Sequence, residues 1–308
     1  MAIPLSARLV WPLLSVLLLG PGESPGGNAD DPAYTFHTST SEVRLTFSAA
    51  DQNDHGFATL QASDFVVVDK DVIVRTFQSF GRSDWTKLDI VILVDTSESI
   101  TPHFRHEIAD LIELLSQTAG VPDEHVSLVS FQGLTPTLLC SGDCRGPHMP
   151  EKLEAIRAAS FTPFFDAITM ATDRLTVTSD GHTQKALIVL SDGEDTISRS
   201  SLSDAIDAAV KTNVQVYAID LGTAGTTRGA TILYRLSYAT GGRYFPARTG
   251  VTRALHAILE DFRATYTVTY SVPSHTPGFH LVRIMPTRNT NLQFRSRSGY
   301  YYPAPLAH

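Results

Sequence analysis

Asp95, Ser97 and Ser99 alternate along the short run Asp95-Thr96-Ser97-Glu98-Ser99. One carboxylate and two hydroxyls on a single tight turn offer oxygen, with neither nitrogen nor sulfur. That is the donor set of a hard divalent cation such as Mg²⁺, with Mn²⁺ or Ca²⁺ as substitutes. Two further oxygen donors fit the same chemistry: Thr162, in the loop 160–166, and Asp192, just past the apolar run 186–190. Two carboxylates and three hydroxyls leave water to complete an octahedron. Taken alone, Asp-x-Ser-x-Ser reads equally as a helix N-cap in a polar turn; Thr162 and Asp192 tip the reading toward a metal. Glu194 and Asp195 are expected to cap or solvate the following turn, and Asp166 to cap within its loop. His103, His106 and Glu107 make a poor second site, because His-x-x-His lacks a third ligand. The chain has no Gly-x-Ser-x-Gly elbow, His-Glu-x-x-His helix or phosphate-binding glycine loop, and its Ser, His and Asp residues suggest no triad.

The positioning elements follow from hydrophobic pattern. Residues 88–94 form an apolar run ended by Asp95, as a strand buried on both faces of a parallel sheet would be. Polar residues at its C-terminal end lie where open α/β sheets hold ligands. Strands are expected at 126–131, 186–190 and 214–219, with a short edge strand at 243–245. Helices are expected at 104–115, 151–159, from Pro163 through Ala171, from a Ser203 cap through Val210, at 232–238 ahead of Gly241-Gly242, and at 252–264. This alternation predicts a mainly parallel sheet with helices on both faces. Residues 42–48, 64–71 and 72–77 read as strands before this core, 81–84 as a link into it, and 265–270, 280–285 and 292–297 as strands after it. Three strands are too few for a stable sheet on either side. The two flanks are therefore expected to combine into one small β module, with the α/β domain inserted between them. The boundaries are 1–28 for a signal and flexible start, 40–83, 86–264 and 265–302. Tyr300, Tyr301 and Tyr302 read as an edge strand or exposed end.

With these elements in place, the sequence resembles a von Willebrand factor type A domain. Asp95, Ser97, Ser99, Thr162 and Asp192 match that family's metal-ion-dependent adhesion site. More narrowly it is similar to the exported bacterial VWFA-related subfamily first named from acidobacteria. The matching stretches are Ser63-Asp64-Phe65, Arg75-Thr76-Phe77, residues 162–168, Leu190 to Asp195, Thr240 to Phe245, and Arg297 to Tyr301. The resemblance implies a Rossmann-like fold. It also implies serines and threonine on the metal, aspartates acting through water, and one coordination position open to a partner's carboxylate. Glu98 and Phe161 depart from the pattern, each standing where the family commonly has Gly.

Composition narrows the class. Hydrophobic residues at 43% and charged ones at 18% describe a folded protein. The net charge of −8, without a Lys/Arg-rich run, provides no footprint for nucleic acid or an anionic membrane. Arg8 followed by the apolar run 9–19 reads as a secretory signal, too short to span a bilayer, with cleavage between Gly20 and Ala29. Secreted or periplasmic placement makes a local Cys140–Cys144 disulfide the expected state of the only two cysteines. The resulting expectation is a non-enzymatic, exported module that uses Mg²⁺ to capture an acidic residue of a protein partner. The alternatives are a metal-assisted hydrolase, with Glu98 or Asp195 as base, and an envelope component stabilised by its metal.

Overall fold

β-branched and leucine side chains fill both faces of the central strand, which explains its position. The computed structural model describes residues 42–83, 88–97, 125–155, 161–178, 183–222, 227–288 and 290–304. The proposed signal, the helix expected at 104–115, Glu98, Ser99 and the His103/His106 pair lie outside them. Strand β5 (Leu88–Asp95) is buried at all eight positions. Leu88, Ile90, Ile92 and Val94 enter one apolar core, and Val91 and Leu93 enter another.

Around β5 lie β6 (Val126–Phe131), β7 (Thr137–Ser141), β8 (Gln184–Ser191), β9 (Val214–Asp220) and β10 (Tyr244–Phe245). The sheet order is β10-β9-β8-β5-β6-β7. Every pairing is parallel except β6 with β7. The chain leaves β5 on one side for β6 and later returns on the other side as β8. The switch point therefore falls at the C-terminal ends of β5 and β8, where such sheets open a crevice. Helices α2 (Phe164–Thr178), α3 (Leu202–Thr212) and α4 (Thr227–Thr240) share the core of Val91 and Leu93. Helix α5 (Val251–Arg263) covers the other face through Ala254, Leu255, Ile258 and Phe262, beside the Cys140–Cys144 disulfide. A short helix α1 (Met149–Ala155) follows that loop. Among the described residues no helix is long and apolar enough to cross a membrane.

The flanking strands are β1 (Glu42–Ala50), β2 (Phe65–Asp69), β3 (Val72–Val74) and β4 (Ser79–Arg82) before the core, and β11 (Thr265–Ser271), β12 (Gly278–Pro286), β13 (Gln293–Ser296) and β14 (Gly299–Tyr302) after it. They form two four-stranded sheets, β13-β1-β11-β4 and β14-β12-β2-β3. Each sheet takes two strands from either flank, so neither flank alone could build one. The sheets share an apolar core, in which the rings of Phe47 on β1 and Phe65 on β2 approach to 5.2 Å. Buried Asp69 on β2 accepts hydroxyl hydrogen bonds from Tyr270 on β11 at 3.0 Å and Tyr300 on β14 at 2.8 Å, joining the sheets.

The mixed fold, with its mainly parallel central sheet and added antiparallel strands, agrees with the sequence reading. Several details differ. Ser79–Arg82 is a strand and not a link, because its pairing comes from β11, far along the chain. Thr137–Ser141 is an antiparallel edge strand, hidden in the sequence by its turn-like cysteine loop. The cap of α3 is Ser201, not Ser203. Its hydroxyl accepts from the Asp204 amide at 3.2 Å, and the Asp204 carboxylate accepts from the Ser201 amide at 2.8 Å, a reciprocal box.

A four-charge cluster joins the β strands to the α/β core. Arg295 on β13 pairs with Asp54 at 2.7 Å and with Asp261 on α5 at 2.5 Å, and Arg243 also contacts both aspartates. Asp261 is 1% exposed. Burial pushes its carboxyl up to about 6, against the opposing pull of Arg295 and Arg243. Removing one guanidinium leaves a buried charge poorly matched. Arg295→Ala is therefore expected to lower unfolding stability by about 3 kcal/mol, read as a reduced urea midpoint with an unchanged slope.

Candidate metal centre

Where β5 stops, a carboxylate is held in the protein interior. Asp95 has no exposed surface. Its Oδ1 accepts the Ser97 amide at 3.0 Å, which folds the turn back on itself, and the Ser97 side chain also bonds the carboxylate. Its Oδ2 accepts the Ser191 hydroxyl from the end of β8 at 2.8 Å. Ser191 in turn accepts the Gly193 amide at 3.0 Å, so one buried hydroxyl ties the β5 carboxylate to the loop carrying Asp192. Burial raises the Asp95 carboxyl to about 6, despite these hydrogen bonds, and Asp192 adds like-charge repulsion.

Thr162 is 5% exposed and is bracketed by the loops that leave the two neighbours of β5. After β8, Thr196 Oγ1 accepts the Thr162 amide at 2.7 Å and the Thr196 amide donates to the Thr162 carbonyl at 3.0 Å. After β6, the Gly133 amide donates to the Phe161 carbonyl at 2.7 Å. The same loops anchor the start of α2. Asp195 Oδ1 accepts the Phe165 amide at 3.2 Å and the Ser198 hydroxyl. Asp166 accepts the amides of Arg199 at 3.1 Å and Ser200 at 2.9 Å, which hold its carboxyl below the usual carboxylate range although burial works against them.

Asp192 is partly exposed, and its Oδ1 accepts the Glu194 amide at 3.1 Å. Its loop depends on two glycines. Gly193 has φ +79°, and a Cβ there would stand 2.5 Å from the Gly229 carbonyl of α4. A Cβ on Gly229 would stand 2.0 Å from the Asp192 carbonyl. Helix and loop thus meet backbone to backbone.

The donor chemistry fits a hard cation. Asp95 and Asp192 lie close enough to repel each other, hydroxyls of Ser97 and Thr162 accompany them, and Thr96 Oγ1 is buried without a hydrogen-bond partner among the described residues. Ser99, the remaining expected ligand, lies outside the described residues. Among the described residues no group of three or more His, Cys, Asp or Glu is arranged to hold a metal. Ser191, Thr196 and Gly229 were not foreseen from the sequence. Ser191 had one visible signal, a hydroxyl closing an otherwise apolar strand. Thr196 and Gly229 had none, because their partners are set by the fold.

Two outcomes follow. Ionising Asp95 is unfavourable in the metal-free fold, since its folded carboxyl titrates above the ordinary 3.8, at about 6. The penalty is absent below pH 3.8 and complete above about 6, so stability in chelator falls as pH rises through that window. Asp95→Asn should remove that part of the fall, up to about 3 kcal/mol, and leave the pH 7.5 melting temperature in chelator equal to or above the parent's. Gly229→Ala should displace the Asp192 loop and cost about 2 kcal/mol in denaturant melts.

Comparison with known proteins follows this geometry. None of the curated proteins matches the chain significantly. Among solved structures, an aerotolerance-related membrane protein from Bacteroides fragilis is 16% identical with TM-score 0.42, covering 57% of this chain and 98% of its own. BatB from Bacteroides thetaiotaomicron is 20% identical with TM-score 0.42, covering 56% and 96% respectively. Proximal thread matrix protein 1 from the mussel byssus, with a zinc-occupied MIDAS motif, is 15% identical with TM-score 0.43, covering 60% and 47%. The sequence model of the von Willebrand factor type A domain matches residues 89–249, more than half of the 308 residues, from Asp89 in β5 to beyond β10. The chain belongs to the von Willebrand factor type A domain family.

Proposed function

We propose that this protein is an exported interaction module that holds Mg²⁺ through Asp95, Ser97, Ser99, Thr162 and Asp192, and captures an acidic side chain of a protein partner. The observation that carries this reading is Asp95: a carboxylate without exposed surface, repelled by Asp192 and set among hydroxyl donors at the sheet's switch point. A bound divalent cation supplies the compensating positive charge and a coordination position for an external carboxylate. The protein's own residues do the positioning. Ser191 orients Asp95, the Asp95 carboxylate shapes the Ser97 turn, and the two-way bond with Thr196 fixes Thr162. The net charge of −8 disfavours an acidic partner at long range, which makes capture depend on the cation.

A hydrolytic role receives less support. Asp195, the described candidate base, has Oδ1 engaged with the Phe165 amide and the Ser198 hydroxyl. Export is supported by the apolar run 9–19 and by the Cys140–Cys144 bond, which suits an oxidising compartment. The motifs at Leu190 to Asp195 and Thr240 to Phe245 support placement in the acidobacterial-type VWFA-related subfamily.

The test is affinity capture from the exported protein fraction in Mg²⁺ followed by elution with EDTA, alongside titration of Mg²⁺ into the purified chain. The expected result is an EDTA-released partner and a Mg²⁺ heat signal, both lost in Asp95→Ala. Unchanged Mg²⁺ binding and unchanged capture in that variant would overturn the proposal.

A further inference from the structure

We infer that folding of this chain takes up one proton, held between buried Asp69 and His280 in the β module, so that stability falls as pH rises above neutrality. The hydrogens of one buried network carry this. Asp69 on β2 and His280 on β12 have no exposed surface, and Tyr270 on β11 and Tyr300 on β14 are buried beside them. Four contacts tie the network together. Asp69 Oδ2 meets the Tyr270 hydroxyl at 3.0 Å and the Tyr300 hydroxyl at 2.8 Å. The Tyr300 hydroxyl also meets His280 Nδ1 at 3.0 Å, and His280 Nε2 meets the Thr276 carbonyl at 2.7 Å.

Each contact needs one hydrogen between its two heavy atoms. A carbonyl offers none, so Nε2 carries the hydrogen directed at Thr276. The two tyrosines supply two more, for the three contacts that remain. An ionised Asp69 has none to give, and a neutral imidazole has already used its own. The third hydrogen is therefore an added proton. It sits on His280 Nδ1 while both tyrosines donate to Asp69, or on the Asp69 carboxyl when Tyr300 turns to His280. Either placement leaves the network neutral. Without the proton, one contact sets lone pair against lone pair and a negative charge stays buried. Asp69 Oδ1 stands 3.6 Å from Nδ1 and has no hydrogen-bond partner among the described residues.

The neighbours supply no substitute hydrogen. Burial and the Asp69 carboxylate push the Tyr270 and Tyr300 hydroxyls up, so both keep their protons. The Arg297 guanidinium lies 5.9 Å from the Tyr300 ring but donates to the carbonyls of Val210 and Arg44. Tyr302 stacks on the His280 ring at 5.6 Å, and its hydroxyl bonds His275. Lys70 and Asp71, in the turn after β2, are exposed. The proton thus lies where β2, from one side of the insertion, meets β11, β12 and β14 from the other.

The experiment is urea unfolding of the full chain in Mg²⁺ upward from about pH 7, where a free carboxylate and most free imidazole are unprotonated. Unfolding then releases the proton, and the folding equilibrium constant falls tenfold per pH unit for as long as the network keeps it. Two variants isolate this fall from that of other groups. The amide in Asp69→Asn brings its own hydrogens, so the tenfold fall should disappear. Tyr270→Phe removes one contact together with the hydrogen that served it, so the fall should remain although the same carboxylate has lost a hydroxyl. Equal pH dependence in the parent and Asp69→Asn, or loss of the fall in Tyr270→Phe, would overturn the inference. Side-chain NMR of the parent at about pH 8 reads the same proton without a variant. The expected finding is a doubly protonated His280 imidazole or a protonated Asp69 carboxyl; an ionised Asp69 beside a singly protonated His280 would overturn it.

Discussion

Asp95 brings a carboxylate into a position from which water is excluded, at the end of a strand packed on both faces. Such a group is tolerated only when its oxygens are occupied and its charge is answered. The hydrogen bonds come from Ser97 and Ser191, and each bond also shapes a loop. The Asp192 loop is held through Ser191, and Thr196 on its continuation holds Thr162. The edge is consequently a single hydrogen-bonded arrangement with the buried carboxylate at its centre. Asp192 adds charge of the same sign and does not neutralise it, which is the arrangement expected of a cation site and a poor one for stability alone.

Much of this was legible in the sequence. An apolar run ending in Asp-x-Ser-x-Ser marks both the buried strand and its polar end, and β/α alternation marks the parallel sheet. Ser79–Arg82 was not legible, because it has no alternation of its own and becomes a strand only by pairing with Thr265–Ser271. Thr137–Ser141 was masked by the turn residues between its cysteines. Ser201 displaced Ser203 as the α3 cap because Asp204 stands three residues after Ser201, closing the reciprocal box. Gly229 lay furthest from reach: an isolated helical glycine acquires meaning only when the Asp192 carbonyl is seen against it.

The flanking strands show how a domain can be inserted without isolating it. Each β sheet takes strands from both sides of the insertion, and Asp69 bonds tyrosines from β11 and β14. The Asp54, Arg243, Asp261 and Arg295 cluster then fastens those strands to the last helix of the core. Buried charge serves two purposes in this chain. In the cluster, opposite charges lock two layers together; at the sheet edge, the like charges of Asp95 and Asp192 repel each other.

The strands that bracket the insertion, β4 and β11, run antiparallel with Arg82 opposite Tyr266, and Ser83 bonds Thr265 and Thr267 at 2.9 and 2.7 Å. The chain therefore passes into the α/β domain and back out at one place, at the root of a hydrogen-bonded ladder. A load applied at the far edge of the domain arrives at that root along two covalent connections together. Tension on the α/β domain therefore reaches the β4–β11 ladder before the outer strands of either sheet.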